Sequence, residues 1–379
     1  MGRRIDARSE PRGANNPIQS AHQWTGQWPT EVARSSMSRP HQGVRSGSDR
    51  SGDHGQLFPL HGAEPGQRWL FVASTGGHLT QLFRIAPRLR PAQDSAWVTF
   101  DSPQSRSLLK DEHVHYVPYI GARDPINASK TFRRVRALLA REQFDAVVST
   151  GSAISVGAFA AAKAKGIPTH FIESFSRING PSLSGRIVAR SGLAGHLYSQ
   201  HGGWADHRWR LVPSVLASYK TIPAPEPREV RKVFVALGTM RQFRFDALID
   251  ALKELGVLDR ATVQYGATAR SDLSASSRVE FDNEQYTRAC LDADVVVAHA
   301  GVGSIIEMLD LGVCPVVVPR SRERGEHVDD HQKQICALLE GSRLGVVRSA
   351  ERLTFQDLHM AANRRTLRVY ESALPWDKI

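Results

Sequence analysis

Short apolar runs alternate with amphipathic stretches from Trp69 onward. In the first half of the chain the runs are rich in β-branched residues, and each is followed by a turn signal: WLFVAS, SAWVTF, DAVVST, IPTHFIES and HLYSQ. Between them lie stretches such as LTQLFRIAPRLR, whose apolar residues recur at helical spacing. This alternation predicts a parallel β-sheet covered by α-helices.

The same alternation restarts after TIPAPEPREV, a proline-rich segment at residues 221–230 that predicts a linker. The later runs are KVFVALGT, ATVQYGAT, RVEFDN, DVVVAHAG, CPVVVPR and LGVVRS. We therefore predict an α/β protein with two doubly wound, Rossmann-like domains, residues 67–220 and 231–379, facing each other across a cleft. Ligands of such sheets bind at the carboxyl ends of the strands, and we expect those ends to face the cleft.

Residues 1–66 lack apolar periodicity and are rich in Ser, Gly, Arg and Pro. Such a segment buries too little apolar surface to offset the entropy lost on ordering, so we predict a disordered tail. A start codon assigned too far upstream explains the segment equally well. The tail holds eight arginines and six acidic residues, so most of the net charge of +11 belongs to the folded part.

A basic folded part fits anionic lipid, phosphorylated small molecules or nucleic acid. The sequence shows no interleaving of aromatic and basic residues and no known reading motif, so we expect no nucleic-acid partner. No apolar run approaches the roughly 20 residues that a membrane-spanning helix needs. The three cysteines, Cys290, Cys314 and Cys336, lack metal-ligand spacing and predict free thiols in a reducing compartment.

The first candidate site follows the first apolar run, in the stretch LFVASTGGHL. Gly76 and Gly77 let the backbone pass close to a ligand, and a helix that begins there directs unpaired N–H groups at an anion. His78 adds a side chain that titrates near neutral pH. The stretch therefore predicts a phosphate site beside a group that can transfer a proton.

The second candidate site lies in VVVAHAGVGSIIEMLDLGVCPVVVPRSRERGEHVDDHQKQ, residues 295–334. His299 ends a buried run, Gly301 and Gly303 form a turn, and Ser304 opens a helix that can hold a diphosphate. Glu307, about one turn later, suits a ribose or sugar diol. The other donor-site candidates lie at further strand ends and in the following loop: Gly238, Thr239, Arg320, Asp330, His331 and Gln332.

These motifs resemble two known sequences. HAGVGSIIEMLDLG, VVVPR and GEHVDDHQ resemble the donor-nucleotide half of GT-B glycosyltransferases related to the lipid II-forming enzyme. STGGHLTQL and the stretch from VVSTG to SLSGRI resemble the membrane-recruiting half of the two-part dolichol-diphosphate N-acetylglucosaminyltransferase, here fused to its catalytic half. Bacterial capsule and exopolysaccharide transferase pairs are relatives. The resemblance spans nearly all of residues 68–365, although a polar tail replaces the family's transmembrane anchor.

The resemblance implies a GT-B fold and inverting transfer of a sugar from a UDP-sugar to a polyprenyl-diphosphate-linked sugar, in polysaccharide or glycolipid biosynthesis. The donor is the only small molecule required, with no metal and no other cofactor. Gly76, Gly77 and Ser174 would face the acceptor. His78 would act either as the catalytic base or as a cation that binds the acceptor's diphosphate, and Glu173 is the alternative base.

Two basic stretches, residues 130–144 and 183–195, suit an anionic membrane surface. Their arginines are Arg133, Arg134, Arg136, Arg141, Arg186 and Arg190. We accordingly expect a cytoplasmic protein, peripheral on the inner face of the membrane, although ordinary solvated helix faces would give the same pattern. The sequence leaves a homo-oligomer open.

Two other functions remain compatible with the motifs: a nucleotide-sugar 2-epimerase of the same fold, and a non-catalytic scaffold that binds a nucleotide sugar. The motifs around Glu173 argue against the epimerase, which needs no lipid acceptor. The transferred sugar is open as well. Arg320, Arg322 and Arg324 would suit an acidic sugar such as glucuronate, or else a phosphate.

Overall fold

The computed structural model describes residues 58–121, 124–238, 242–327 and 331–369, all of which belong to one compact unit of the chain. Most of the predicted tail, at residues 1–57, therefore lies outside the described residues. Its last residues are ordered, contrary to the prediction of disorder up to residue 66. Phe58 and Leu60 are buried in the first apolar core, and the Phe58 N–H donates to the carbonyl of Arg88.

The first half forms a parallel sheet with helices on both faces. Its strands are β1 (Trp69–Val72), β2 (Ala96–Phe100), β3 (His113–Val117), β4 (Ala146–Ser149), β5 (Thr169–Ile172), β6 (His196–Ser199) and β7 (Trp209–Leu211). Its helices are α1 (Gly77–Ile85), α2 (Pro103–Leu108), α3 (Pro125–Arg141), α4 (Ala153–Lys163) and α5 (Leu183–Arg190). The strand order is β3-β2-β1-β4-β5-β6-β7, and every pair is parallel.

The second half repeats this plan with fewer strands, after the connecting strand β8 (Tyr219–Pro223). Its parallel strands are β9 (Val233–Ala236), β10 (Ala261–Gln264), β11 (Val295–His299), β12 (Val316–Val318) and β13 (Val346–Val347), in the order β10-β9-β11-β12-β13. Its helices are α6 (Asp246–Glu254), α7 (Asn283–Asp292), α8 (Val302–Asp310), α9 (His331–Gly341) and α10 (Phe355–Ala362). The prediction of two doubly wound α/β halves is confirmed.

The segment predicted as a linker begins inside a strand. β8 pairs antiparallel with β14 (Arg364–Arg368), the last described strand, so the chain returns from the end of the second half to the start of the connection. The run RVEFDN, predicted as a strand, forms only an isolated bridge between Arg278 and Gln264.

One apolar cluster crosses from the first half into the second. It contains Leu79 and Leu82 of α1 together with Ile305 and Leu309 of α8, all of them buried. The two halves therefore pack against each other along α1 and α8, and this packing fixes the relative position of the loops that precede the two helices.

Candidate active site

Each sheet has a point where its strand order reverses. In the first sheet this point lies between β1 and β4, and in the second it lies between β9 and β11. Open α/β sheets bind ligands in the crevice at such a point, outside the carboxyl ends of the strands. The predicted glycine loops after β1, β9 and β11 lie there, so the fold places both candidate sites where a ligand crevice is expected.

The two glycine loops meet because α1 and α8 run side by side in the same direction. At their starts, a Cβ on Gly77 would lie 2.6 Å from Cγ1 of Val302. At their ends, Arg84 Nη2 lies 2.5 Å from Asp310 Oδ2. The N-termini of two parallel helices therefore converge, and with them the partial positive charges of two helix dipoles.

Several amides at these two helix starts make no hydrogen bond within the described part of the chain. Among the described residues we find no acceptor for the N–H groups of Gly77, His78, Val302, Gly303 and Ser304. The Gly76 N–H, by contrast, donates to Gln104 Oε1 at 2.6 Å, which fixes the first loop. Unpaired amides at a helix start bind anions such as a diphosphate.

Gly76 and Gly77, the two glycines of the first loop, are each required to be glycine for a different structural reason. Gly76 has a φ of +88°, a left-handed conformation that favours glycine, and the space beside its Cα is open. The space beside Gly77 is filled by Val302. The expectation that Gly77 makes room for an acceptor's diphosphate is thus corrected, because this glycine allows the two halves to approach each other.

His78 is held in one orientation by the loop after β4. Its Nδ1 lies 2.8 Å from the carbonyl oxygen of Thr150, and because a carbonyl only accepts, Nδ1 carries the proton and Nε2 is the acceptor. Burial lowers the pKa of His78, and the charge of Arg177 lowers it further, against the raising effect of the Thr150 bond. The imidazole is therefore neutral at neutral pH and able to accept a proton through Nε2.

The loop that holds His78 has an unusual backbone. Gly151 has a φ of +121°, and a Cβ there would lie 2.9 Å from the His78 ring. Ser152, the N-cap of α4, has a φ of +72° although it is not a glycine. Such strained residues cluster at functional sites, and this one lies at the point where the first strand order reverses.

Glu173 and Ser174 follow β5 and are both buried. The Glu173 carboxylate accepts hydrogen bonds from the N–H and Oγ of Ser182, at 2.8 and 2.9 Å, and from the Ser174 N–H at 3.2 Å. Burial raises the pKa of Glu173 in spite of these bonds. Ser174 Oγ accepts from Gln81 Nε2 at 2.9 Å. Both residues thus shape the loop between β5 and α5.

In the second half, His299 lies between two glycines. A Cβ at Gly238, where φ is +80°, would lie 2.6 Å from the His299 ring, and a Cβ at Gly301 would also collide with that ring. His299 Nδ1 bonds the carbonyl of Ala236 at 3.1 Å. Burial, with the neighbouring charge of Arg320, lowers the pKa of His299 to about 4. These glycines make room for a neutral imidazole at the carboxyl end of β11.

Glu307 lies about one helical turn after Ser304 on α8 and is partly buried. Burial and the charge of Asp310 raise the pKa of Glu307 to about 7, against the lowering effect of Arg84. A carboxyl group that is uncharged in part of the population at neutral pH can both donate and accept hydrogen bonds. This chemistry suits a diol.

Arg320 is 1% exposed and binds backbone in place of a ligand. Its guanidinium donates to the carbonyls of Leu237, Phe243, Arg244 and Glu326. The expectation that Arg320 reads an acidic sugar is therefore corrected.

The other candidate residues near Arg320 differ in burial and in partners. Gln332 is also buried, and its Oε1 accepts from the Arg320 N–H at 2.9 Å. Arg324 pairs with Glu326 and Glu351, whereas Arg322 is exposed. Thr239, Asp330 and the side chain of His331 lie outside the described residues.

Sequence reasoning missed the glutamines and the arginine that organise the first half of the site. Gln104 reaches Gly76 from α2, and Gln81 reaches Ser174 from α1. Arg177 lies close enough to His78 and Glu173 to lower the pKa of both. The first two contacts join residues 28 and 93 positions apart, so no local pattern signals them.

Comparison with known proteins gives a match in the second half. Residues 260–367 match the glycosyltransferase family 28 C-terminal domain. A UDP-N-acetylglucosamine--N-acetylmuramyl-(pentapeptide) pyrophosphoryl-undecaprenol N-acetylglucosamine transferase of Rubrobacter xylanophilus is 26% identical over 239 residues, 55% of this chain and 64% of that protein. The chain thus spans slightly less than two thirds of that relative's length.

The protein of the same description from Synechococcus elongatus is 24% identical over 317 residues, 77% of this chain and 85% of that protein. Among solved structures, the spinosyn forosaminyltransferase SpnP superposes with a TM-score of 0.50 and 13% identity, covering 78% of this chain and 89% of that chain. The fold is the two-domain GT-B arrangement.

Proposed function

We propose that this chain is a glycosyltransferase that moves a sugar from a UDP-sugar to a polyprenyl-diphosphate-linked acceptor, with inversion at the anomeric carbon. The observation that carries the proposal is the convergence of two helix N-termini at the reversal points of both sheets. The match of residues 260–367 to the family 28 C-terminal domain supports it. The activity for which these relatives are named makes UDP-N-acetylglucosamine the first donor to test.

The second half would bind the donor. The amides of Val302, Gly303 and Ser304 would hold the diphosphate, and Glu307 would bind the ribose or sugar diol. As the sugar departs, negative charge grows on the diphosphate, and fixed amides stabilise it without reorganisation. This arrangement supplies the charge stabilisation that a metal ion supplies elsewhere, so we expect transfer without an added metal.

The first half would bind the acceptor and remove its proton. His78 Nε2 is the acceptor atom of a neutral imidazole that the Thr150 carbonyl orients, as a general base requires. Glu173 is a weaker candidate because both of its oxygens already accept hydrogen bonds. We assign no covalent intermediate, so a single displacement inverts the anomeric carbon.

A cavity of about 280 Å³ lies between the halves and suits an acidic headgroup. Arg177 and Arg186 of the first half and Gln334 of the second are among its lining residues. Arg186 also belongs to an exposed stripe on α5 with Leu183, Ile187 and Arg190, spaced three, four and seven residues from the first. Leu183 is 69% and Ile187 42% exposed. An acceptor bound in this cavity would have its lipid beside an apolar, basic helix face that suits an anionic membrane.

The α3 arginines give less support to membrane binding. Arg133, Arg134 and Arg136 are exposed, but the apolar residues of the same helix, Val135, Leu138 and Leu139, are buried in the core. No helix in the described ranges is long and apolar enough to cross a bilayer. We therefore propose peripheral attachment on the cytoplasmic face through α5.

The proposal is tested by incubating the chain with labelled UDP-N-acetylglucosamine and two acceptors, the N-acetylmuramyl-pentapeptide lipid of the relatives and another polyprenyl-diphosphate sugar. Label should appear in the lipid fraction with one acceptor, and EDTA should not abolish transfer. The variant Glu307→Ala should lose donor affinity while remaining folded. Epimerised UDP-sugar without transfer would establish the epimerase instead, and binding without turnover of any UDP-sugar would establish a scaffold.

A further inference from the structure

Two histidines and a glutamate form a compact cluster far from the candidate active site. His113 and His115 lie two residues apart on the edge strand β3 and thus on one face of it, and Glu142 is the C-cap of α3. One ligand atom of each residue lies within 4.8 Å of the others. Because His113 begins β3 and Glu142 ends α3, the cluster lies toward the amino ends of the strands, away from the glycine loops.

We propose that this cluster is a Zn²⁺ site with three protein ligands, the Nε2 or Nδ1 atoms of His113 and His115 and Oε1 of Glu142. Two imidazoles and one carboxylate are a donor set that zinc takes in proteins, with a water in the fourth position.

A ring nitrogen of His115 that lacks a hydrogen-bond partner indicates room for a ligand. The His115 Nε2 is buried and has no hydrogen-bond partner among the described residues. The closest carboxylate oxygen, Glu142 Oε1, is 3.6 Å away, too far for a hydrogen bond. Two ligands that each lie 2.0–2.2 Å from a tetrahedral ion are separated by roughly 3.3–3.6 Å. The pair is therefore spaced as ligands of one ion are.

Arg68 orients the carboxylate of this site. Its Nη2 donates to Glu142 Oε2 at 2.5 Å, which leaves Oε1 on the His115 side. The Arg68 guanidinium also lies over the Phe144 ring, 4.5 Å from its centroid, and donates to the carbonyls of Asp94 and Gln143, contacts that hold it in place. A hydrogen-bonded partner behind a ligating carboxylate is a usual feature of metal sites.

A zinc ion must also be able to reach the cluster from solvent, and the His113 side chain must be able to turn toward the other two ligands. His115 and Glu142 line a groove of about 450 Å³ between β3 and α3, which gives an ion a path from solvent. His113 is exposed, and its ring centroid lies 4.6 Å from that of His115. The three ligand atoms lie within 4.8 Å of one another, so binding one ion requires that the exposed His113 side chain move closer to the other two.

The test is calorimetric titration of the full chain with Zn²⁺, together with its melting temperature with and without the ion. Wild type should bind one equivalent and melt at a higher temperature with zinc. His113→Asn, whose exposed position tolerates substitution, and Glu142→Gln should each bind at least about tenfold more weakly. His196→Asn is the matched control, since His196 belongs to a separate cluster of stacked histidines with His61 and His170.

Binding that His113→Asn weakens and His196→Asn leaves unchanged supports the site. Wild type that binds no zinc overturns the proposal. So does an affinity that is unchanged in both His113→Asn and Glu142→Gln, or one that is lost in His196→Asn. The readouts are affinity and melting temperature, so their failure is distinguishable from a failure of sugar transfer.

Discussion

The surroundings of His78 suit proton transfer. The Thr150 carbonyl fixes the tautomer, Gly151 leaves room for the ring, and burial keeps the imidazole neutral. His299 has similar surroundings at the reversal point of the second sheet, whereas His78 is the one that lies in the half proposed to bind the acceptor. These surroundings support the proposal that His78 is the base, with Glu173 as a residue that positions the neighbouring loop.

His78→Ala should lower kcat about a hundredfold or more while changing donor affinity little, because a general base acts mainly in the transition state. The measurement is steady-state transfer across pH 6 to 9, with donor affinity measured separately. His207→Ala, at an exposed histidine, is the control and should leave both unchanged. Turnover near wild type in His78→Ala would move the base elsewhere, with Glu173 the next residue to substitute.

For single residues, the sequence predicts the position of the candidate site residues better than it predicts their contacts. STGGH and HAGVG stand directly after apolar runs, so their position at strand ends follows from local pattern. The roles of Gly77 and Arg320 do not follow, because Val302 and the carbonyls around Arg320 come from distant parts of the chain. Arg320 is mistaken for a ligand-reading residue since nothing local signals its burial.

At the scale of elements, the parallel pair α1 and α8 sets the geometry of the candidate site. It brings two helix N-termini and two glycine loops together, while the contact of Arg84 with Asp310 secures the opposite ends. Tyr219 adds to this end, since its hydroxyl donates to Asp310 Oδ1 at 2.6 Å. The geometry of the site thus depends on close packing between the halves.

Gly77→Ala should lower the free energy of unfolding by about 1–3 kcal/mol, because its Cβ would overlap Val302. Gly303→Ala is the matched control on the facing helix, where the nearest atoms lie at 3.6 Å or more, and it should cost little. Urea unfolding of both variants measures the difference. Combining Gly77→Ala with Val302→Gly should reduce the cost of the alanine, and equal costs for the two single alanine variants would contradict this packing account.

The stripe on α5 should carry membrane binding. Replacing Arg186 and Arg190 with Gln should reduce sedimentation with anionic vesicles more than the same change at Arg133 and Arg136, whose helix buries its apolar residues. Both double variants remove the same charge, so a difference between them shows that the position of the arginines on α5, beside the exposed Leu183 and Ile187, matters in addition to net charge. Binding should also weaken with salt, since screening acts beyond about 8 Å at physiological ionic strength. Equal losses in the two variants would assign binding to charge alone.

Apolar, β-branched runs predict most strands of both sheets, but strands with many polar residues are not predicted from the sequence. β3 reads HVHYV and β14 reads RRTLR, so polar side chains at these sheet edges hide the strand. RVEFDN shows the opposite error, since its alternation suggests a strand that the sheet does not include. The tail boundary is also missed, because isolated Phe58 and Leu60 find their core partners far along the chain.

At the scale of the molecule, buried histidines make stability depend on pH. Burial lowers the pKa of His170 to about 3 and that of His299 to about 4, and it lowers the pKa of His78, His196 and His201 as well. The unfolded chain binds these protons near pH 6.5, whereas the folded chain does not until lower pH. The free energy of unfolding should therefore fall as pH drops below 6.5.

Each such histidine lowers the free energy of unfolding by up to about 1.4 kcal/mol for each pH unit below 6.5. Glu307 acts in the opposite sense, because its raised pKa of about 7 adds stability as pH falls from 7 toward 4.5. Urea unfolding at pH 7.5 and 5.5 should show a lower free energy of unfolding at pH 5.5. The variant His170→Asn should show a smaller pH dependence and His207→Asn an unchanged one. Stability that is equal or higher at pH 5.5 would contradict the burial of neutral histidines.

The central claim is that the meeting point of α1 and α8 binds the diphosphate of the donor. A crystal structure of the chain with UDP tests it most directly. We expect diphosphate oxygens within about 2.7–3.2 Å of the amides of Val302, Gly303 or Ser304, with the ribose against Glu307. A diphosphate bound away from both helix N-termini would contradict the account.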